Sequence, residues 1–410
     1  MNGSGLISVE EALARVLSSV AAPLATESVA IEDALGRALA EDIHALRTQP
    51  PFANSAMDGY ALIAADTASA RARLKVIGEA AAGRAFAGVV QPGEAVRIFT
   101  GAPMPAGADT VLIQENAQRD GDVLIVGAPE APGRNVRSAG LDFHDAEPLL
   151  AAGRRLTPRD LALAAAANHA RLNVRRRPRV AILATGDELV RPGEARGAAQ
   201  IVASNNYAVA GIVAAVGGEP IDLGIAVDDK RALADSFARA VQAKADVLVT
   251  LGGASVGEYD LVQQALVESG LELGFWRIAM RPGKPMMHGK LGDMKVLGLP
   301  GNPVSSVVCA IVFLRPLLRA LLGDPNAAAD VGETARLGAD VGANDLRQDY
   351  LRATLVEVDG AWRATPVESQ DSSLVKLLAL SQALIIRKPY APVAKRGEEC
   401  RIIRFDRLGL

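Results

Sequence analysis

Three short segments concentrate the residue types that do chemistry. Thr185-Gly186-Asp187-Glu188 follows an apolar run, Val180–Thr185, and two adjacent carboxylates there can reach a cation or a ribose hydroxyl. A solvated acidic loop near a helix start is the plain alternative. Gly252-Gly253-Ala254-Ser255-Val256-Gly257 follows a second apolar run, Asp246–Leu251. Glycines at such a turn let backbone N–H groups wrap an anion, usually phosphate; a tight turn explains one glycine better than three. Asp260 comes next, and an acid beside a phosphate cradle is electrostatically awkward unless a divalent cation mediates. Arg281-Pro282-Gly283-Lys284-Pro285, preceded by Arg277, sets three cations in a stretch stiffened by two prolines. That composition suits a preorganised anion site, and equally a solvated turn. Leu299-Pro300-Gly301-Asn302-Pro303 adds a helix start, a second potential anion holder.

Other chemistries are poorly supported. Gly253-Ala254-Ser255-Val256-Gly257 matches the G-x-S-x-G nucleophile elbow, but the only later histidine is His288, in an apolar strand-like segment. A serine hydrolase is therefore a weak alternative. There is no GxxxxGK[ST] and no GxGxxG, which speaks against P-loop and ordinary dinucleotide-binding sites. Two separated cysteines, Cys309 and Cys400, and four scattered histidines argue against a disulfide framework and a His-built zinc centre.

The elements that must hold these loops follow from periodicity. After Arg175–Arg179, strands at Val180–Thr185, Pro220–Ile225, Asp246–Leu251, Leu273–Ala279 and Lys295–Leu299 alternate with helices near Ser204–Val216, Asp229–Gln242 and Asp260–Glu268. A long helix from Asn302-Pro303 toward Leu322, with a kink at Pro316, completes a doubly wound α/β domain whose ligands bind beyond the carboxyl ends of its strands. Residues 6–46 and 146–176 read as a helical linking domain: Val9, Leu13, Val16 and Leu17 share a helix face behind Ser8, Ile31–Ile43 continues in that style, and Thr157-Pro158 opens another helix. Residues 47–145 read as an inserted β-rich domain, 177–325 as the α/β domain, and 326–410 as a small C-terminal β domain.

Whole-chain properties bound the function. The 410 residues carry a net charge of −3 with no long basic run, which disfavours nucleic acid as the main partner. Aromatics make up only 4%, so Ala, Val, Leu and Ile must build the cores. No membrane span is expected, since Arg315 interrupts the apolar run Val307–Leu314, and Met1–Glu10 lacks a secretory pattern. The expected location is a reducing cytoplasm.

Taken together, the segments resemble the molybdopterin molybdotransferase family, relatives of the gephyrin E domain. The stretches that carry the resemblance are Pro50-Pro51-Phe52-Ala53-Asn54-Ser55-Ala56-Met57-Asp58-Gly59-Tyr60, Thr100-Gly101-Ala102-Pro103-Met104-Pro105, Thr185-Gly186-Asp187-Glu188-Leu189, the run Gly252–Asp260, Arg281–Pro285 and Leu299–Ser305. The resemblance implies a four-domain homodimer whose cleft lies between the α/β domain of one subunit and the β-rich insertion of the other. The implied reaction inserts molybdate into adenylylated molybdopterin with Mg²⁺-dependent release of AMP, and a molybdopterin adenylyltransferase would supply the substrate. By motif position it implies catalytic roles for Asp58, Glu188, Asp228, Asp260 and Lys284, with Glu188, Asp228 and Asp260 holding the metal. Substrate contacts fall on Thr100, Arg137, Asp142, Gly252, Gly253, Ser255, Arg277, Arg281, Pro285, Arg352 and Ser372. The family usually carries lysine at the positions of Arg277 and Arg281, and aspartate at Ala203. A tungstate transferase and a non-catalytic molybdopterin-binding scaffold are the competing readings.

Overall fold

The computed structural model describes residues 6–69, 71–253 and 261–410. Alternation of side chains along each strand builds its central layer. On Arg179–Thr185, Val180 and Ile182 enter one hydrophobic cluster while Ala181 and Leu183 enter another. Each strand must therefore be covered on both faces. The helices Val9–Ser18, Asn205–Val216 and the Pro303–Leu321 stretch cover one side; Lys230–Gln242 and Leu261–Glu268 cover the other. The sheet runs Glu219–Ala226, Arg179–Thr185, Val247–Leu251, Met294–Leu299, Met287–Leu291, Glu272–Trp276. Its first three pairings are parallel and its last two antiparallel. That antiparallel edge departs from a purely doubly wound sheet because only Gly292-Asp293 separate two of its strands, and so short a connection can make only a hairpin.

Capping follows the sequence closely. Ser8 Oγ accepts from the Glu11 N–H at 3.1 Å, Asp229 accepts from Arg231 and Ala232, and Gly217 (φ 98°) ends Asn205–Val216. The long helix is irregular just before Pro316 rather than at it: Ala310–Leu314 forms a π turn between Pro303–Cys309 and Arg315–Leu321. A proline lacks the N–H that would bond the carbonyl four residues back, and the widened turn accommodates that loss. Pro303–Leu321 is long and apolar enough to cross a membrane, contrary to the reading that Arg315 cuts it short, but 78% of it is buried inside the protein. It is a core helix.

The linking region is less helical than its apolar spacing predicts. Helices form at Val9–Ser18 and Pro158–Ala166, but Ile31–Ile43 is not helical. Thr26–Ala30 is a strand paired with Arg171–Arg175, and only a short 3₁₀ turn, Ile31–Asp33, follows it. Tertiary pairing overrides the apolar spacing that suggested a helix. The insertion holds a six-stranded sheet in the order Thr110–Ile113, Gly59–Leu62, Glu94–Ile98, Arg73–Ala80, Val123–Val126, Ala117–Asp120. In the C-terminal region, Gln348–Val358 pairs with both Ala361–Pro366 and Ala383–Arg387, closing a small barrel. Met280–Arg281 adds to its edge and so joins the barrel to the α/β domain.

Candidate active site

The carboxyl ends of Arg179–Thr185 and Val247–Leu251 open into a cleft of about 730 Å³. Glu188, Asp228, Gly252, Gly253 and Pro285 line it, together with Thr185, Asn205, Asn206, Asn302 and Ser373. Glycine is required on its floor. Gly252 has φ 101° and a Cβ there would lie 2.8 Å from Thr185 O; at Gly253 (φ 63°) it would lie 2.1 Å from Val262 Cγ2. At Gly186 (φ 141°) a Cβ would lie 2.4 Å from Glu188 Oε2, so the glycine makes room for that carboxylate.

The acidic side of the cleft is charge-rich. Asp187 Oδ1 accepts the Asp228 N–H at 3.1 Å. Burial, followed by the charges of Asp187 and Glu188, pushes the Asp228 carboxyl above its ordinary value. No ion pair to Glu188 or Asp228 forms among the described residues. Unpaired carboxylates supply hard oxygen donors of the kind that divalent cations take. Among the described residues no three potential ligands stand together as a formed metal site; Asp260 and Ser255 lie outside the described residues.

Asparagines organise the opposite wall. Asn205 Nδ2 donates to Gly301 O at 2.7 Å and to Ser306 Oγ at 3.4 Å, tying the starts of two helices together. Asn206 is buried, and its Oδ1 has no partner. Residue order alone marks a helix start near Ser204 and does not single out Asn206. A second asparagine directly after the cap, at a strand's carboxyl end, was the available signal.

The cations separate into different roles. Lys284 is exposed and forms no ion pair among the described residues, while its carbonyl accepts from Ile278 and Met286. Arg281 is instead committed to the barrel: it bonds Asp349, lies 3.5 Å from Asp345 and donates to Asn344 Oδ1 at 3.2 Å. Arg277 (φ 84°) stacks its guanidinium 4.6 Å from the Trp276 ring centre. Arg352, 1% exposed, donates to the carbonyls of Ser369, Asp371 and Leu374. It thereby shapes the turn that brings Ser372 Oγ within 2.9 Å of Asn302 Nδ2 and Ser373 to the cleft.

The remaining candidates sit in the insertion, and no residue of 47–145 lines the cleft. Asp58 Oδ1 accepts from both the N–H and Oγ1 of Thr100 at 2.8 Å, and these bonds hold its carboxyl below the ordinary value. Arg137 is paired in register with Asn54, and the Asp142 N–H bonds Gln49 O. The structure therefore places Glu188, Asp228, Gly252, Gly253 and Pro285 in the cleft and Asp58, Thr100, Arg137 and Asp142 on the insertion, while Arg277, Arg281, Lys284, Arg352 and Ser372 are in neither group.

A layered α/β sheet with a cleft at its strand ends, a β-rich insertion and a terminal barrel define a class of multidomain α/β plus β proteins. Residues 7–168 match the MoeA N-terminal region (domains I and II), 181–320 a probable molybdopterin binding domain, and 334–405 the MoeA C-terminal region (domain IV). A molybdopterin molybdenumtransferase from Haemophilus influenzae is 33% identical over 411 residues, covering 98% of this chain and 100% of the relative. One from Bacillus subtilis is 35% identical over 384 residues, covering 91% and 87%. The crystal structure of a molybdopterin biosynthesis MoeA protein from Pyrococcus horikosii superposes with a TM-score of 0.83 at 33% identity, covering 98% of this chain and 99% of that one. The chain belongs to the molybdopterin molybdenumtransferase family, and it is an enzyme of that family.

Proposed function

We propose that the protein transfers molybdenum to molybdopterin, using molybdate and adenylylated molybdopterin and releasing AMP in a Mg²⁺-dependent reaction. The observation that carries this reading is the cleft itself, where uncompensated carboxylates face a glycine floor. Glu188 and Asp228, with Asp260, would hold Mg²⁺, which supplies charge neutralisation at phosphate oxygens. The floor of Gly252 and Gly253 admits an anion close to the backbone. Lys284 offers an uncommitted cation to a compact oxyanion, and Asn206 Oδ1 offers an unused acceptor to a ligand donor. Homodimer formation would bring Asp58, Thr100, Arg137 and Asp142 of one subunit to the cleft of another. A molybdopterin adenylyltransferase in the cytoplasm would deliver the substrate.

The test is incubation of purified protein with adenylylated molybdopterin, Mg²⁺ and either molybdate or tungstate. The expected result is AMP release and cofactor formation that stop when Mg²⁺ is chelated, with Asp228→Asn strongly impaired while its circular dichroism is unchanged. AMP release that persists without Mg²⁺, or in Asp228→Asn at the wild-type rate, would overturn the metal assignment.

A further inference from the structure

A second cavity, of about 210 Å³, shares no lining residue with the cleft. Three arginines line it: Arg155 from the linking region, and Arg315 and Arg319, about one turn apart on Arg315–Leu321. The acid in its lining is Asp324, which accepts from Arg319 Nε at 2.8 Å.

Two of the three arginines have evident structural work. Arg319 pairs with Asp324, and Arg155 donates Nε to Gly36 O at 3.1 Å and Nη1 to Ala215 O at 2.5 Å, near the end of Asn205–Val216. Arg315 has none: it is half-buried, and its side chain makes no hydrogen bond or ion pair among the described residues. Burial and then the charge of Arg319 push its guanidinium down to about 10, despite Asp324. Three guanidinium groups share one carboxylate, Asp324, and that carboxylate is already bonded to Arg319, so the cluster carries excess positive charge. The cavity is smaller than the roughly 300–1,000 Å³ typical of drug-sized ligands, so its occupant must be compact.

We propose that this cavity is a binding site for a small tetrahedral oxyanion of the phosphate type, held by Arg155, Arg315 and Arg319. Guanidinium groups present forked donors matched to such oxygens. The site is a seam. Ala38 and Gly153 come from the linking region, Val216 and Leu322 from the α/β domain, and Leu408 from the end of the barrel. Gly153 packs so tightly that a Cβ would lie 2.4 Å from Gly323 O. A bound anion would therefore fasten three parts of the chain and raise stability by mass action.

The experiment measures binding of inorganic phosphate, glycerol phosphate and molybdate to the full-length protein at constant ionic strength without Mg²⁺, by calorimetry and thermal unfolding. Wild type should bind at least one of them saturably and unfold at a higher temperature as its concentration rises. Arg315→Gln and the more peripheral Arg155→Gln should each weaken that binding about tenfold or more, because each removes a charge-assisted contact. Lys284→Ala, at a residue that lines neither cavity, should retain the binding of inorganic phosphate and glycerol phosphate. Tighter binding of glycerol phosphate would identify an ester as the ligand, and equal or tighter binding of the inorganic ions would identify a free oxyanion. Equal affinity in wild type and both arginine variants, or no saturable binding by wild type, would overturn the proposal.

Discussion

Arg281 and Lys284 are three residues apart and share a charge, yet they do different things. Arg281 serves Asp349, whose side chain is 6% exposed and whose carboxyl is raised by burial despite that partner. Arg281→Ala would strand a buried carboxylate, at a cost of about 1–3 kcal/mol. Denaturant unfolding should show that loss, and adding Asp349→Asn should recover part of it. Lys284→Ala has no such partner to strand and should leave the unfolding midpoint nearly unchanged. If Lys284 holds the oxyanion as proposed, losing one charge-assisted contact of roughly 1.5–3 kcal/mol should raise the molybdate needed for cofactor formation about ten- to a hundred-fold. Superimposable molybdate titrations for wild type and Lys284→Ala would remove it from the oxyanion site.

The helix Pro158–Ala166 shows how a few residues start an element. Thr157 Oγ1 accepts from the Asp160 N–H, and Asp160 Oδ2 accepts the Thr157 N–H at 2.8 Å, a reciprocal cap behind a first-turn proline. Thr157→Ala should cost about 1 kcal/mol by denaturant unfolding. Asp160 is buried, which raises its carboxyl, but hydrogen bonds from Arg154 and Thr157 outweigh burial and hold it below its ordinary value. A depressed carboxyl stabilises the fold above its unfolded value and loses that contribution as pH falls through the folded one. The stability gap between wild type and Asp160→Asn should therefore be widest above about pH 4 and close on acidification. A gap independent of pH would mean that Asp160 acts through shape alone.

The domains divide the candidate residues between two surfaces, with Asp58 and Thr100 on the insertion and Glu188 and Asp228 in the cleft. If two subunits share each site, an Asp58→Ala chain and an Asp228→Asn chain are each inactive but complement one another. A mixed dimer then holds one intact site, and equal mixing should restore about a quarter of wild-type AMP release. Sedimentation should show a dimer at micromolar concentration. No recovery on mixing, in samples shown to exchange subunits, would place the whole site within one chain.

Local chemistry was legible in the order of residues. The caps at Ser8 and Thr157 and the buried strands of the central sheet follow from spacing and side-chain type. Also legible were the cleft's Glu188, Gly252 and Gly253, because loops at strand ends carry the unusual residues, whereas Asp228 was marked only by the family resemblance. The polar strand Ala117–Asp120 was not legible, since nothing in four mostly exposed residues marks a sheet edge, nor was the pairing of Thr26–Ala30 with Arg171–Arg175 across more than a hundred residues. The partnership of a charge is the largest such case. Arg281 and Lys284 read alike until Asp349 arrives from the barrel, and Arg352 read as a ligand until its guanidinium met three carbonyls. Side-chain type sets what a group can do; only the long-range contacts of the folded chain decide whether it is already doing it.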